Sequence, residues 1–162
     1  MPLETRRFVE TDRASVIRLA RMAHAESMFS EIDFSAEKFN RSFSNCIQEP
    51  DQFLGLVTYN TTQGAGEAVG YCYAIMGDYY IGANCGVVTV ISIYSSSAAR
   101  DNLSGGKIAL KQINAIHKWG RILGAEYVMY HVTAGVSVDR IDGFFRRLGF
   151  STIGGNYAVK LG

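Results

Sequence analysis

The chain has 162 residues, 48% of them apolar, with 16 lysines and arginines against 15 acidic residues. That length suits one domain with a substantial core, and a net charge of +1 excludes a polycation built to hold nucleic acid. No apolar run approaches the ~20 residues of a membrane span, and "MPLETRRFVETDR" carries no signal-peptide core, so a soluble, cytoplasmic protein is expected. Cys46, Cys72 and Cys85 have no CxxC spacing. They read as free thiols, with no disulfide framework and no metal site expected.

In chain order, "RRFVE" reads as a first strand, and Asp12 as the N-cap of a helix over "RASVIRLARMAHAES". Val16, Ile17, Leu19, Ala20 and Ala23 recur there on one helical face. A second helix follows Ser35, with Phe39, Phe43, Cys46 and Ile47 spaced by threes and fours. After Pro50 the texture changes. "QFLGLVTYN", the turn "TTQGAGE" and "AVGYCYAIMGDYY" read as a hairpin or meander. "GVVTVISIY" (Gly86 to Tyr94) is β-branched and apolar, as a strand covered on both faces would be.

The stretch "SSSAARDNLSGGK" (Ser95 to Lys107) comes next. A helix follows from about Gly106 to Leu123, with Ala109, Ile113, Ile116 and Gly120 inward and Gly124 as the closing C′ residue. "EYVMYHVT" reads as a strand, "VDRIDGFFRRLG" as a short amphipathic helix, and "FSTIGGNYAVKL" as a final strand. The order β, α, α, β, β, β, α, β, α, β gives a mixed α/β domain over residues 1–162, a central sheet flanked by about four helices. The unit from Gly86 to Thr133 predicts a parallel pair with a right-handed crossover.

"SSSAARDNLSGGKI" can be laid without a gap on the motif V-x-P-x-x-[RQ]-G-x-G-x-[GA]-x-x-L. Ser95 takes the Val place, Ser97 the Pro, Arg100 the Arg, Gly105 the last glycine and Ile108 the Leu. Asp101 and Leu103 stand where the first two glycines belong. "FRRLGF" meets Y-x-x-x-G-F, with Phe145 in the tyrosine place. With the element order, these motifs make the chain resemble the GNAT superfamily of N-acetyltransferases over nearly its whole length. The closing "RLGF...GGNYAVKL" and the early "AHAES" resemble a branch common in tailed-phage genomes, implying a bacterial host cytoplasm.

The resemblance implies acetyl transfer from acetyl-CoA to a small-molecule or protein amine. Three needs follow from it. The pyrophosphate should meet backbone amides at a helix N-terminus, with Arg100, Ser104, Gly105 and Gly106 around it. The pantetheine arm should lie along the strand ending at Ile91 to Ser95, including Ile93 and Ser95. Asp101 brings a like charge towards the phosphates, and Leu103 a side chain where the backbone should approach. An ordinary strand-to-helix loop capped by Ser104 or Asn102 is the alternative reading.

The second need is a general acid for the departing thiolate. Phe145 has no proton to give, which leaves Tyr94, Tyr130 and Tyr157 as candidates beside their ordinary role as sheet aromatics. The third is a general base, for which His131 at a strand end has a suitable ring. Glu26 is the candidate substrate contact, with a capping or solvent role as its alternative. "MFSEIDFS" would line the acceptor side. His117 reads as a packing or surface residue, and Arg146-Arg147 as a solvated helix face.

The rival reading is a catalytically silent GNAT-fold structural or interaction protein, placed in a virion among other virion proteins. An edge strand near the C-terminus also offers a surface for a homo-oligomer.

Overall fold

A computed structural model describes residues 2–62, 66–101, 104–131, 138–154 and 159–160. Strands β1 (Leu3–Arg7), β2 (Phe53–Asn60), β3 (Glu67–Asp78), β4 (Gly86–Ser95) and β5 (Tyr127–Tyr130) form one sheet in sequence order. The first four pair antiparallel, and β4 and β5 pair parallel. The helices are α1 (Arg13–Ala25), α2 (Ala36–Gln48), α3 (Ser97–Asp101), α4 (Gly105–Ile122) and α5 (Val138–Arg147), with a 3₁₀ turn at Glu10–Asp12. The mixed α/β architecture and the parallel crossover are as the sequence predicts.

Two apolar layers cover the sheet. On one face, Val16, Leu19 and Ala20 of α1 and Phe43 and Cys46 of α2 pack with Val57, Tyr71 and Tyr94. On the other, Ile116 and Trp119 of α4 pack with Leu54, Leu56, Cys72, Ala74, Val88 and Val90. Alternation along the strands assigns each side chain to a layer. The crossover helix is buried at Ile108, Gln112, Ile113, Ile116, Trp119 and Gly120. The expected Ala109 is only half-buried, because the buried stripe runs through Ile108 and Gln112 instead.

Several local expectations are met. Ser35 caps α2 by accepting from the Lys38 amide at 3.2 Å. Gly124 follows α4 in the left-handed region, φ 75°, as a C′ glycine does.

Others need correction. β1 lies three residues earlier than "RRFVE", since Phe8 leaves the strand to stack on Phe43, centroids 4.8 Å apart. Asp12 occupies the N-cap position of α1 but makes no side-chain cap bond. Its carboxylate, nearly inaccessible, accepts instead from Arg6 at 2.6 and 2.8 Å, from the Val9 amide at 2.8 Å and from the Tyr59 hydroxyl at 2.7 Å. The short helix α3 interrupts a stretch read as loop. No strand occurs at 150–154 or 159–160, and the intervening part of the expected final strand lies outside the described residues.

Two irregularities shape β4. Tyr73 pairs with Ser92 but Ala74 with Val90, so Ile91 is an extra residue, a β-bulge. Pairing with β5 ends at Val90 and Tyr130. Among the described residues, Ile91 to Ser95 therefore has a partner only on the β3 side.

Candidate active site

Among the described residues, Ile91 to Ser95 pair with no strand on the β5 side, and the Ser95 carbonyl accepts from Arg100. A buried backbone group without a partner is costly, so such an edge suits an extended ligand that bonds to main chain. The bulge also sets where side chains go. Val90 belongs to the α4 layer, and so does Ile93, while Ser92 and Tyr94 turn towards α1 and α2.

Tyr94 is 8% exposed, and its hydroxyl donates to Glu26 Oε1 at 2.8 Å. Glu26 is the residue directly after α1. Its other oxygen accepts from Arg100 Nη2 at 2.5 Å. The second arm of Arg100 donates to the Ser95 carbonyl, and the guanidinium lies 5.4 Å from the centre of the Tyr94 ring. Burial first, then the accepting Glu26 carboxylate, push the Tyr94 phenol up to about 12. The structure thus joins three residues for which the sequence suggests separate roles: a substrate contact, an acid and a cofactor ligand.

Arg100 is in register for an anion, but its charge is taken by Glu26. Its stem runs back against the start of α4, where a Cβ on Gly105 would meet Arg100 Cγ at 2.9 Å and Cα at 3.2 Å. Gly105 is therefore small to admit Arg100. Gly106 differs: a Cβ there would meet nothing within 4 Å, and the residue is exposed. Ser104 stands at the N-cap of α4 without a side-chain cap bond. Ser95 offers its hydroxyl to the Gly105 carbonyl at 3.4 Å. Asp101 closes α3 with an exposed side chain, so water screens the like charge expected there. Leu103 and Asn102 lie outside the described residues.

A pyrophosphate needs close approach to amides at a helix start. The open front of Gly106, beside the exposed Lys107 at the head of an 18-residue helix, meets that need. The edge of β4 leading to it meets the need of an amide-bearing arm. The residues present fit coenzyme A, with Arg100 as the part already occupied.

His131 directly follows β5, half-buried, at the level where β4 and β5 cease to pair. Among the described residues, no hydrogen bond or ion pair connects it to Tyr94, Glu26 or Arg100. Phe145 of α5 lies in an aromatic cluster with Tyr130 and Phe150, centroids 5.0 and 5.2 Å away, and His117 joins through Tyr130 and Phe150. The Tyr130 hydroxyl is buried and has no partner among the described residues, and burial pushes its phenol up. Tyr157 lies outside the described residues. Arg146 pairs on the surface with Asp142 at 2.6 Å, a solvated face as expected.

Solved structures share this architecture. An AAC(6')-Iy complex with the bisubstrate analogue CoA-S-monomethyl-acetylneamine is 15% identical, with a TM-score of 0.72 and 99% of each chain covered. The glucosamine-6-phosphate N-acetyltransferase of Arabidopsis thaliana is 13% identical, TM-score 0.67, covering 100% of this chain and 97% of its own. The fold is that of the GNAT N-acetyltransferases. A protein described as a transcriptional regulator from Bacillus halodurans C-125 shares it at 17% identity and TM-score 0.70, with 99% of this chain and 100% of its own covered. The GNAT fold alone thus leaves the activity to be argued from the site. No family model matches the chain, and no curated protein matches it in sequence. No described helix is long and apolar enough to cross a membrane.

What sequence reasoning misses here is the partner of each group. Glu26 and Arg100 are 74 residues apart, and Glu26 and Tyr94 are 68 apart. The bulge at Ile91 leaves no mark in composition.

Proposed function

We propose that the protein binds acetyl-CoA and transfers its acetyl group to a primary amine within a ternary complex. One observation carries the reading: among the described residues, β4 has no strand partner on the β5 side beyond Val90, and from there it leads to the open front of α4 at Gly106. The main chain of Ile91 to Ser95, including Ile93 and Ser95, holds the pantetheine amides. The first-turn amides of α4 hold the pyrophosphate, aided by Lys107 and by the helix dipole. When bound, acetyl-CoA supplies a thioester carbonyl open to attack.

The acceptor amine approaches from the α1–α2 side, where Glu26 lies and where Met28, Phe29 and Ile32 are exposed. Its nitrogen forms the amide bond as the carbon–sulfur bond breaks. The amine's proton passes to His131, directly or through water, and the thiolate takes a proton from Tyr94 or from Tyr130. Similar structures support this reading at the level of acetyl transfer, since they include aminoglycoside and glucosamine-6-phosphate acetyltransferases.

Calorimetry with acetyl-CoA tests the reading, followed by a thiol-release assay over a panel of amines. Binding with amine-dependent thiol release is the expected result. Absence of both heat and thermal shift at millimolar acetyl-CoA would overturn it.

A second reading, a silent scaffold with no turnover, is favoured by the occupied Arg100 and the hydroxyl-free Phe145. Coenzyme A binding without thiol release from any amine would select it. Its virion form requires stoichiometric copies in purified particles by mass spectrometry.

A further inference from the structure

The Glu26–Arg100 ion pair joins the end of α1 to the start of α4. Glu26 ends the α1 side, and the stem of Arg100 rests on the first residue of α4. Their side chains are 29% and 32% exposed, so solvent and dissolved ions reach the pair. The guanidinium is held by the Glu26 carboxylate, the Ser95 carbonyl and the Tyr94 ring. A guanidinium fork binds carboxylate and phosphate with the same geometry. The two anions therefore compete for it, and a partly exposed ion pair is weak enough to exchange.

We infer that Glu26 is the resident counter-ion of Arg100, displaced when the phosphates of the ligand arrive at the start of α4. Glu26 is then a positioning residue that lowers affinity for the anionic ligand. It keeps Arg100 folded back against Ser95 until that ligand takes the guanidinium. On release, Glu26 retains the Tyr94 hydroxyl and becomes an uncompensated negative charge beside the α1–α2 connection. The cofactor site and the acceptor side are thereby linked through a single arginine. This inference rests on the coenzyme A reading above.

The test titrates coenzyme A by calorimetry into wild type, Glu26→Gln, Arg100→Ala and the double variant. Glutamine keeps an oxygen to accept from Tyr94 and removes only the charge. Glu26→Gln is expected to bind coenzyme A about 3- to 10-fold more tightly than wild type. In the Arg100→Ala background the same change should alter affinity less than about 2-fold, because the coupling runs through the arginine. Guanidinium NMR gives a second readout. The Arg100 signal, identified by its loss in Arg100→Ala, should move in the same direction on adding coenzyme A and on Glu26→Gln.

Equal or weaker binding by Glu26→Gln overturns the inference while leaving the coenzyme A reading intact. So does an equal gain in the Arg100→Ala background. Failure of wild type and all variants to bind coenzyme A removes the cofactor reading itself, and the inference with it.

Discussion

A Cβ on Gly105 would lie 2.9 Å from Cγ of Arg100, whereas one on Gly106 would touch nothing within 4 Å. Two adjacent glycines thus serve different neighbours. Gly106→Ala should raise stability by about 0.5 kcal/mol, as alanine does in a helix, and weaken coenzyme A binding about tenfold by filling the approach. Gly105→Ala should instead lower stability by about 1 kcal/mol, because the clash involves the root of Arg100 and not its flexible end. Thermal melts and coenzyme A titrations of the two variants check the contrast.

Phe145→Tyr adds a hydroxyl to the aromatic cluster beside Tyr130. If the α5 side faces the departing sulfur, thiol release with a working amine should rise about tenfold or more. Melting temperature should change little, since the ring stays the same size. Steady-state kinetics beside a melting curve separates the two effects. An unchanged rate in a variant that still binds coenzyme A would place the acid elsewhere, with Tyr94→Phe as the next measurement.

Much of the architecture is legible in the sequence because it rests on local rules. Ser35 announces α2 through its own cap, Gly124 ends α4 through its φ, and Gly86 to Thr133 implies a parallel pair. The candidate site is legible only as a set of residue types. Asp12 sits where a helix cap is expected, yet its carboxylate serves Arg6 and Tyr59, and Tyr59 is 47 residues away. Arg100 looks like an anion ligand, yet its anion is a side chain of this chain. Pairings of this kind depend on which segments the sheet brings together, and no periodicity encodes them. The helix α3 escapes notice for another reason: five residues are too few to show a period.

Asp12 and Tyr94 set opposite edges of the stability profile. Burial alone would raise the Asp12 carboxyl, but bonds from Arg6, the Val9 amide and Tyr59 outweigh it and hold the group below the usual carboxylate range. Its contribution is complete above the unfolded value near ~4 and fades as pH falls through the folded one. Tyr94 is raised, so its contribution is complete below about pH 10 and is lost as pH climbs towards about 12. Urea unfolding at stepped pH should show both edges. Asp12→Asn should flatten the acid one, and Tyr94→Phe part of the alkaline one.

At neutral pH, Asp12→Ala should cost about 2 to 3 kcal/mol. That is below the figure for a fully buried pair, because the Arg6 side chain is 36% exposed and water takes over part of its solvation. The midpoint of a urea transition at constant slope measures it.

Gln112 is fully buried on α4, and its Nε2 donates to Thr58 Oγ1 at 3.3 Å while Oε1 has no partner among the described residues. An orphan carbonyl costs more than one long bond returns. Gln112→Met, close in volume, should therefore be neutral or stabilising by about 1 kcal/mol, read as a rise in melting temperature.

The extra residue at Ile91 has a consequence for how this strand can change. Up to Val90 the even-numbered side chains face the crossover helix, and beyond the bulge the odd-numbered Ile93 does so. With Ile91 set aside as the extra residue, the two faces continue in plain alternation on both sides of it. Deleting Ile91 would iron out the bulge and leave Ser92, Ile93 and Tyr94 opposite their present partners and on their present faces, whereas deleting Ser92 as well would deliver the phenol of Tyr94 to the greasy side and Ile93 to the carboxylate of Glu26. The bulge thus stores one residue of slack, and the polar cluster survives the first deletion in this stretch and is rewired by the second.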